Sequence, residues 1–231
     1  MLGVIVNVAV IVVCGLVGLF FNKFFNEHVK EVLMQALGIS AIAFGVSDIA
    51  GATVGTAGKF NSLLLVLSFV IGGFIGSKLK IEYHIKKASG YFIRKFSKND
   101  DVNLMAEGFV NGTIIFCVGA LLIMGCIDAA SGNYTKLFLK AALDGATVIV
   151  LVAKYGWGAI LAVIPVFIVQ TVFVLLAELI SPYLTPAFYT QLAAIGGAFM
   201  ILIGLNVAEI KEIHTADMMP AILGALVALW I

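Results

Sequence analysis

The chain has 231 residues, of which 62% are hydrophobic and only 12% are charged. A soluble domain carries about 45–50% apolar and about 25% charged residues, so this composition excludes a water-soluble globular protein and indicates lipid as the solvent. The formal net charge of +1 creates no strong basic or acidic field, and we therefore expect no nucleic-acid partner.

Eight apolar stretches approach the roughly 20 residues that a transmembrane helix needs. Lipid offers the backbone no hydrogen-bond partners, so the stretches are predicted to be helical. The first has no Lys or Arg before its apolar run and no A-x-A pattern after it, which predicts an uncleaved span. We predict an all-α, polytopic integral membrane protein with one membrane domain, 1–231. The predicted spans are Leu2–Phe21, Val32–Ile49, Leu63–Leu79, Ala106–Ile127, Leu137–Ala153, Gly158–Ala177, Phe188–Ala208 and Met218–Ile231, the last short and with Pro220 in its first turn.

Basic residues are concentrated between the third and fourth spans. Seven of the fourteen Lys and Arg lie between Lys78 and Lys98. Short loops rich in these residues stay in the cytoplasm, which predicts that this segment is inside and that both termini are outside. Its apolar residues recur every three or four positions, which predicts an amphipathic helix on the cytoplasmic membrane surface. These residues are Ile81, Ile85, Ala88, Phe92 and Phe96.

The spans also suggest an internal repeat. Gly38 and Gly45 in span 2 have the same seven-residue spacing as Gly197 and Gly204 in span 7. Aligning them makes spans 1–3 correspond to spans 6–8 in opposite orientation, an inverted repeat of the kind found in secondary transporters. The alternative is chance resemblance between glycine-rich apolar helices. The predicted parts are a first repeat (1–79), a linker (80–103), a central helix pair (104–153) and a second repeat (154–231).

The central pair of spans contains two polar-glycine dipeptides. Asn111-Gly112 lies near the start of span 4, and Asp144-Gly145 lies near the start of span 5. Glycine weakens a helix, so we predict interruptions at both dipeptides, entering from opposite membrane faces. Interrupted helices at a repeat interface form the binding sites of many secondary transporters. We therefore expect the candidate site here.

Asp144 is the strongest candidate for a binding residue. An ionisable group within a span costs at least about 2.5–3.5 kcal/mol and usually faces a cavity or a partner. Asp144 would bind a cation or proton, or sense charge on a substrate. Two structural alternatives are a local pair with Lys140, four residues earlier on the same helical face, and a protonated, hydrogen-bonded carboxyl group.

Other polar side chains within the spans are further candidates. Glu107 and Asn111 share a helical face, although a carboxylate at Glu107 also suits the helix N-terminus. Asn7 and Gln170 lie in corresponding spans of the repeat, where interhelical hydrogen bonds are the default role. The predicted ion- or substrate-binding residues are Asp144, Asn111, Thr113, Thr147, Glu107, Asn7 and Gln170.

Sequence motifs for enzymatic chemistry are missing. The chain has no GxSxG, HExxH, P-loop or GxGxxG motif, so we expect no enzyme and no cofactor. The three cysteines, Cys14, Cys117 and Cys126, lack CxxC spacing and are expected to be small apolar side chains. The histidines lie in predicted loops without ligand spacing, so we expect no metal site.

The order of motifs resembles one bacterial multi-pass membrane family, domain of unknown function 554, whose members are often labelled transport proteins. The motifs are GVIVN, MQALG, GGFIG before the basic loop, EGFVNGTIIFCVGALLIMG, LDG and IGLN. Family members usually have a proline soon after the glycine of FCVG; here Ala120 follows Gly119. The resemblance covers essentially the whole chain and implies a bacterial inner-membrane location.

We predict a secondary transporter or ion-coupled carrier of a small ion or solute, with the lipid bilayer as its surroundings. One alternative is a passive channel through the same pore. Another is a non-transporting assembly or sensor protein, for which the two predicted interruptions would be continuous helix and Asp144 would pair with Lys140. The GxxxG steps at Gly72–Gly76 and Gly108–Gly112 permit homo-oligomerisation as readily as internal packing.

Overall fold

A computed structural model describes residues 1–21, 26–54, 61–85, 87, 91, 102–117, 120–130, 132–180 and 185–230. The regular structure of these residues is helical, which confirms the predicted all-α class. Two 3₁₀ helices, Gly156–Ala162 and Ala216–Leu223, accompany nine α-helices within these described ranges. The α-helices are α1 (Leu2–Phe21), α2 (Glu27–Val54), α3 (Ser62–Leu79), α4 (Val102–Cys117), α5 (Ala120–Ala130), α6 (Thr135–Tyr155), α7 (Val163–Ile180), α8 (Pro186–Val207) and α9 (Gly224–Val227).

Five stretches of the described residues are long and apolar enough to cross a membrane. They are Leu2–Phe21, Glu27–Val54, Ser62–Leu79, Thr135–Ala177 and Pro186–Val207. The fourth runs for 43 residues, whereas about 20 residues are enough to cross the hydrocarbon core. Gly156, with a φ of 72°, ends α6 inside this stretch. This left-handed backbone conformation favours glycine. Gly156 thus separates the predicted spans 5 and 6.

The predicted interruptions at the two polar-glycine dipeptides are wrong. Asn111-Gly112 lies inside α4, and Asp144-Gly145 lies inside α6; both helices continue through the dipeptide. A single glycine costs a helix only about 1 kcal/mol relative to alanine, and close packing offsets this cost. A Cβ atom on Gly112 would lie 2.9 Å from Ala162 Cβ, and one on Gly145 would lie 2.6 Å from Val10 Cγ1.

Helices α2 and α8 pack through the glycines on which the repeat was aligned. A Cβ atom on Gly38 would lie 2.6 Å from the Gly204 carbonyl oxygen, and one on Gly197 would lie 2.6 Å from the Gly45 carbonyl oxygen. Side chains at these positions would therefore collide with the backbone of the other helix. Because Gly38 meets Gly204 and Gly45 meets Gly197, the two helices are antiparallel.

Other pairs of helices also approach each other at glycines. Gly3, Gly145 and Gly18 are the contact points between α1 and α6, against Leu137, Val10 and Ile149, in an order that makes these helices parallel. Both GxxxG steps are used inside the chain. Gly72 and Gly76 pack against Ala221 and Asp217, whereas Gly108 and Gly112 pack against Tyr155 and Ala162.

The segments that join the helices differ in part from the prediction. Residues 81–85 of the basic linker are helical, with Ile81 and Ile85 half-buried, whereas Ala88, Phe92 and Phe96 lie outside the described residues. Pro220 lies inside the 3₁₀ helix rather than in the first turn of an α-helix. At the end of α8, the Asn206 side chain donates to the Ile213 carbonyl (2.8 Å) and accepts from its N–H (2.7 Å), which closes a short loop.

Candidate functional site

A buried ion pair lies in the middle of α6. Lys140 Nζ is 2.9 Å from Asp144 Oδ1 and 2.7 Å from Oδ2. Asn7 of α1 donates from Nδ2 to Asp144 Oδ2 at 3.0 Å. Lys140 is 6% exposed, Asp144 is 5% exposed and Asn7 is fully buried. We call these three residues the buried triad.

The local sequence explains how the triad is assembled. Lys140 and Asp144 are four residues apart and therefore face the same side of α6. Gly3 and Gly145 allow α1 to approach α6 closely on either side of Asn7. Asp144 is the tenth residue of the 21-residue helix α6. Asp144 is thus near the middle of α6, and Lys140 lies one turn closer to the N-terminus of the helix.

The charges of the triad compensate each other, but one of its hydrogen-bond acceptors has no partner among the described residues. Lys140 contacts both carboxylate oxygens, so the two formal charges compensate each other. The Asn7 Oδ1 atom has no hydrogen-bond partner among the described residues. Buried ion pairs of this kind are often no more stable than apolar side chains of similar volume. Stability alone therefore does not account for the pair.

Other predicted binding residues are buried without polar partners. Both amide atoms of the fully buried Gln170 side chain, and the Thr113 hydroxyl, have no hydrogen-bond partner among the described residues. The Gln170 carbonyl oxygen accepts a weak hydrogen bond from the Cys126 thiol at 3.7 Å. Thr147 is buried on α6, one turn beyond Asp144. The structure therefore brings Asn7 to Asp144, whereas Gln170 lies against α5.

Glu107 and Asn111 belong to a separate site, a cavity of about 300 Å³ that we call the acidic cavity. These two lining residues were predicted from the sequence, whereas most of the others were not. The other charged lining residues lie in the basic linker or in the loop after α8, where a charged loop between spans is the ordinary expectation. The complete lining is Glu82, Glu107, Val110, Asn111, Ile114, Asn206, Glu209, Lys211, Glu212, Ile213 and Thr215.

A second cavity, of about 220 Å³, lies beside the acidic cavity. Glu209 lines both of them, and Lys154 lines the second. These two side chains form an ion pair between α6 and the loop after α8. Glu209 has a φ of 58°, a left-handed conformation unusual for a residue other than glycine. The ion pair between Lys154 and Glu209 therefore lies at the boundary between the two cavities.

The buried triad and the acidic cavity are apart from each other along α6. Tyr155 at the end of α6 packs against Gly108 of α4, one turn before Asn111, which lines the cavity. Eleven residues separate Tyr155 from Asp144, which corresponds to roughly 16 Å along an α-helix. Among the described residues, neither cavity is lined by Lys140 or Asp144.

These features define a polytopic, all-helical membrane protein with a buried charge pair. The chain belongs to the family described as protein of unknown function DUF554, whose model matches residues 2–230. It is 30% identical over 224 residues to the uncharacterized membrane protein YdfK of Bacillus subtilis (strain 168), covering 96% of this chain and 93% of the relative. It is 24% identical over 230 residues to the uncharacterized protein YqgA of Escherichia coli (strain K12), covering 97% and 94%. No solved structure matches the chain.

Proposed function

We propose that the protein is a secondary transporter, an ion-coupled carrier of a small ion or solute across the bacterial inner membrane. In this proposal the chain crosses the membrane eight times with both termini outside, and spans 1–3 and 6–8 are inverted repeats. The buried triad couples transport to a change in its own charge. The acidic cavity is the aqueous entrance on the cytoplasmic side, where the basic linker is expected.

The buried triad carries the proposal. Charged side chains within spans are rare and commonly mark ion or substrate pathways. Lys140 and Asp144 are nearly inaccessible in the middle of α6, and a buried pair gives little net stability over apolar residues. A role in function would explain why the pair is present. Protonation or cation binding at Asp144 would release Lys140 and change the charge at the contact between α1 and α6.

The contacts between α2 and α8 support an inverted repeat. In the proposed alignment, Gly38 corresponds to Gly197 and Gly45 corresponds to Gly204. A two-fold axis in the membrane plane would therefore exchange the contact Gly38–Gly204 with the contact Gly197–Gly45. Both contacts are present at the same closeness, about 2.6 Å from an added Cβ to the opposing carbonyl oxygen. Carriers with inverted repeats bind their cargo at such an interface.

Helix directions support eight crossings. In the proposed topology, spans 1 and 5 run in the same direction, and α1 and α6 pack in parallel. Spans 3 and 8 run in opposite directions. Gly76 meets Asp217 and Gly72 meets Ala221, which is an antiparallel order.

The proposal is tested with purified protein reconstituted in liposomes on a solid-supported membrane. A panel of monovalent and divalent cations, amines, amino acids and organic acids is applied in turn, and the charge movement is recorded. We expect saturable currents with one solute class and none with protein-free liposomes. Currents of single-channel size in a planar bilayer, without exchange of the solute, would favour a passive channel instead. No response to any class would count against both.

One specific observation favours a non-transporting structural role. Lys140 satisfies both oxygens of Asp144, and α4 and α6 are continuous through the dipeptides that were predicted to interrupt them. A purely structural pair would be replaceable by uncharged residues without loss of cellular function. Complementation of a deletion strain by a Lys140→Met/Asp144→Asn double variant distinguishes the two roles.

A further inference from the structure

We propose that the first turn of α3 and the side chain of Gln191 bind an oxyanion, which is a phosphate or carboxylate group. The site lies between α3 and α8, at the opposite end of α8 from the acidic cavity. The inference concerns binding alone, so it does not require the protein to be a carrier.

The side chain of Gln191 is held against the start of α3. Its Oε1 atom accepts a hydrogen bond from the Asn61 N–H at 3.3 Å, and Asn61 is the N-cap residue of α3. Because Oε1 and Nε2 belong to one planar amide group, Nε2 also lies beside the first turn of this helix. Gln191 is the sixth residue of α8. The start of α3 is therefore recessed by roughly 8 Å along α8 from the start of that helix.

The Gln191 amide nitrogen provides the observation that points to a ligand. The residue is only 1% exposed, and its Nε2 atom has no hydrogen-bond partner among the described residues. The Asn61 N–H can only donate, so the amide oxygen must face it and the nitrogen is the atom left unpaired. Buried polar atoms in folded proteins are nearly always paired. An acceptor seated on the first turn of α3 would supply the missing partner.

The first turn of α3 offers further donors. An α-helix leaves its first four N–H groups without acceptors inside the helix, and here they belong to residues 61–64. The Asn61 N–H donates to Gln191, and the Leu64 N–H donates to Asn61 Oδ1 at 3.0 Å. The N–H groups of Ser62 and Leu63 are the two that are left over. Both residues are exposed, so this side of the turn is open to a ligand.

Donors without acceptors favour a negatively charged ligand. The N-terminus of an 18-residue helix carries a partial positive charge, and α3 has no acidic residue in its first turn. Helix N-termini are ready-made sites for phosphate and carboxylate groups, whose oxygens accept several hydrogen bonds at once. An ammonium compound offers only donors and does not fit. The oxyanion can belong to a soluble molecule or to a phospholipid headgroup, because the chemistry of recognition is the same.

The test is calorimetric titration of the purified, delipidated full-length protein in a non-ionic detergent. The probes are inorganic phosphate, acetate and dihexanoyl phosphatidylglycerol, with methylammonium as the probe that lacks an acceptor. We expect saturable binding of an oxyanion probe and no binding of methylammonium. Saturation by the lipid alone would identify a headgroup phosphate, whereas saturation by phosphate or acetate would identify a soluble oxyanion. Absence of saturable binding of all three oxyanion probes to folded protein would overturn the inference.

Two substitutions alter the donors of the site. Gln191→Glu keeps an oxygen for the Asn61 N–H and replaces the unpaired nitrogen by a charged oxygen, so we expect binding to weaken at least about tenfold. Ser62→Pro removes one free N–H at the first helical position, where proline is favoured. Asn61, with a φ of −111° and a ψ of 101°, already has the extended backbone that precedes proline. We expect Ser62→Pro to weaken binding severalfold and to leave the unfolding midpoint unchanged.

Gln35→Glu is the matched control, because it makes the same change of charge at an exposed position of α2. Gln35 lies within one turn of Gly38, which meets Gly204 near the other end of α8. We expect this variant to bind the oxyanion like the native protein. Equal weakening by Gln35→Glu and Gln191→Glu would show general charge repulsion and would overturn the inference. Native affinity in both Gln191→Glu and Ser62→Pro would overturn it as well.

Discussion

Lys140 Nζ lies 2.9 and 2.7 Å from the two carboxylate oxygens of Asp144, one helical turn away, inside a stretch long and apolar enough to cross a membrane. The pair is almost inaccessible, at 6% and 5% exposure. Each charge is thus tolerated in the apolar interior because the other is present. The stability of a variant that loses one partner is therefore expected to differ from that of a variant that loses both.

Loss of one partner is expected to destabilise the protein strongly. Lys140→Met or Asp144→Asn alone leaves one charge buried without compensation, which costs about 3–5 kcal/mol. The Lys140→Met/Asp144→Asn double variant removes both charges and keeps an amide oxygen that can accept from Asn7. We expect its thermal unfolding midpoint in detergent, followed by circular dichroism, to be close to the native value. Single variants as stable as the native protein would contradict the claim that Lys140 and Asp144 compensate each other's charge.

The hydrogen bond from Asn7 is expected to depend on the charge of Asp144. Asn7→Ala removes a buried donor to a carboxylate, an interaction of about 1.5–3 kcal/mol. In the Lys140→Met/Asp144→Asn background the acceptor is neutral, so the same substitution is expected to cost less. A double-mutant cycle of unfolding free energies measures the difference. Equal costs in both backgrounds would mean that Asn7 does not contact Asp144.

The contact between α2 and α8 leaves no room for a side chain at position 45. A Cβ atom there would lie 2.9 Å from Ile201 Cγ1 and 3.0 Å from Ile201 N. Gly45→Ala is therefore expected to destabilise by about 1–3 kcal/mol through overpacking. Gly51 on the same helix has no atom within 4 Å of an added Cβ, which makes Gly51→Ala the control, neutral or slightly stabilising. Equal melting temperatures for the two variants would contradict this packing.

Gln170 is expected to be a destabilising residue. Its amide group is fully buried, and both polar atoms lack partners among the described residues. Removing an unsatisfied buried polar group recovers about 1–3 kcal/mol. Gln170→Leu should therefore raise the unfolding midpoint, with Gln35→Leu as the control because Gln35 is exposed. A lower midpoint for Gln170→Leu would mean that the amide has a bound partner.

The helical membrane class and the glycine-bearing faces of α2 and α8 could be predicted from the sequence, but not that these two faces meet. Long apolar runs with few charges have one physical solution in lipid, and equal glycine spacing marked the faces of α2 and α8. Lys140 was also identified as a partner of Asp144, because residues four apart share a helical face. These are local features of the chain.

The sequence could not predict contacts that depend on which helices are neighbours. Asn7 and Gln170 correspond in the predicted repeat because both are amides in apolar runs, yet Asn7 bonds to Asp144. Tyr155 packs against Gly108 of α4. The interruption was expected because glycine weakens isolated helices, but packing at Gly112 and Gly145 keeps α4 and α6 continuous. The acidic cavity was missed because Glu82, Glu209 and Glu212 come together only through the loop after α8.

The most direct test of the central claim compares solute-driven currents of the native protein and the Lys140→Met/Asp144→Asn double variant in the same liposomes. Equal protein incorporation and a near-native unfolding midpoint are the conditions for the comparison. If the buried pair couples transport to charge, the native protein gives saturable currents and the folded double variant gives none or loses coupling to the ion. Native-like coupled currents from the double variant would contradict the claim.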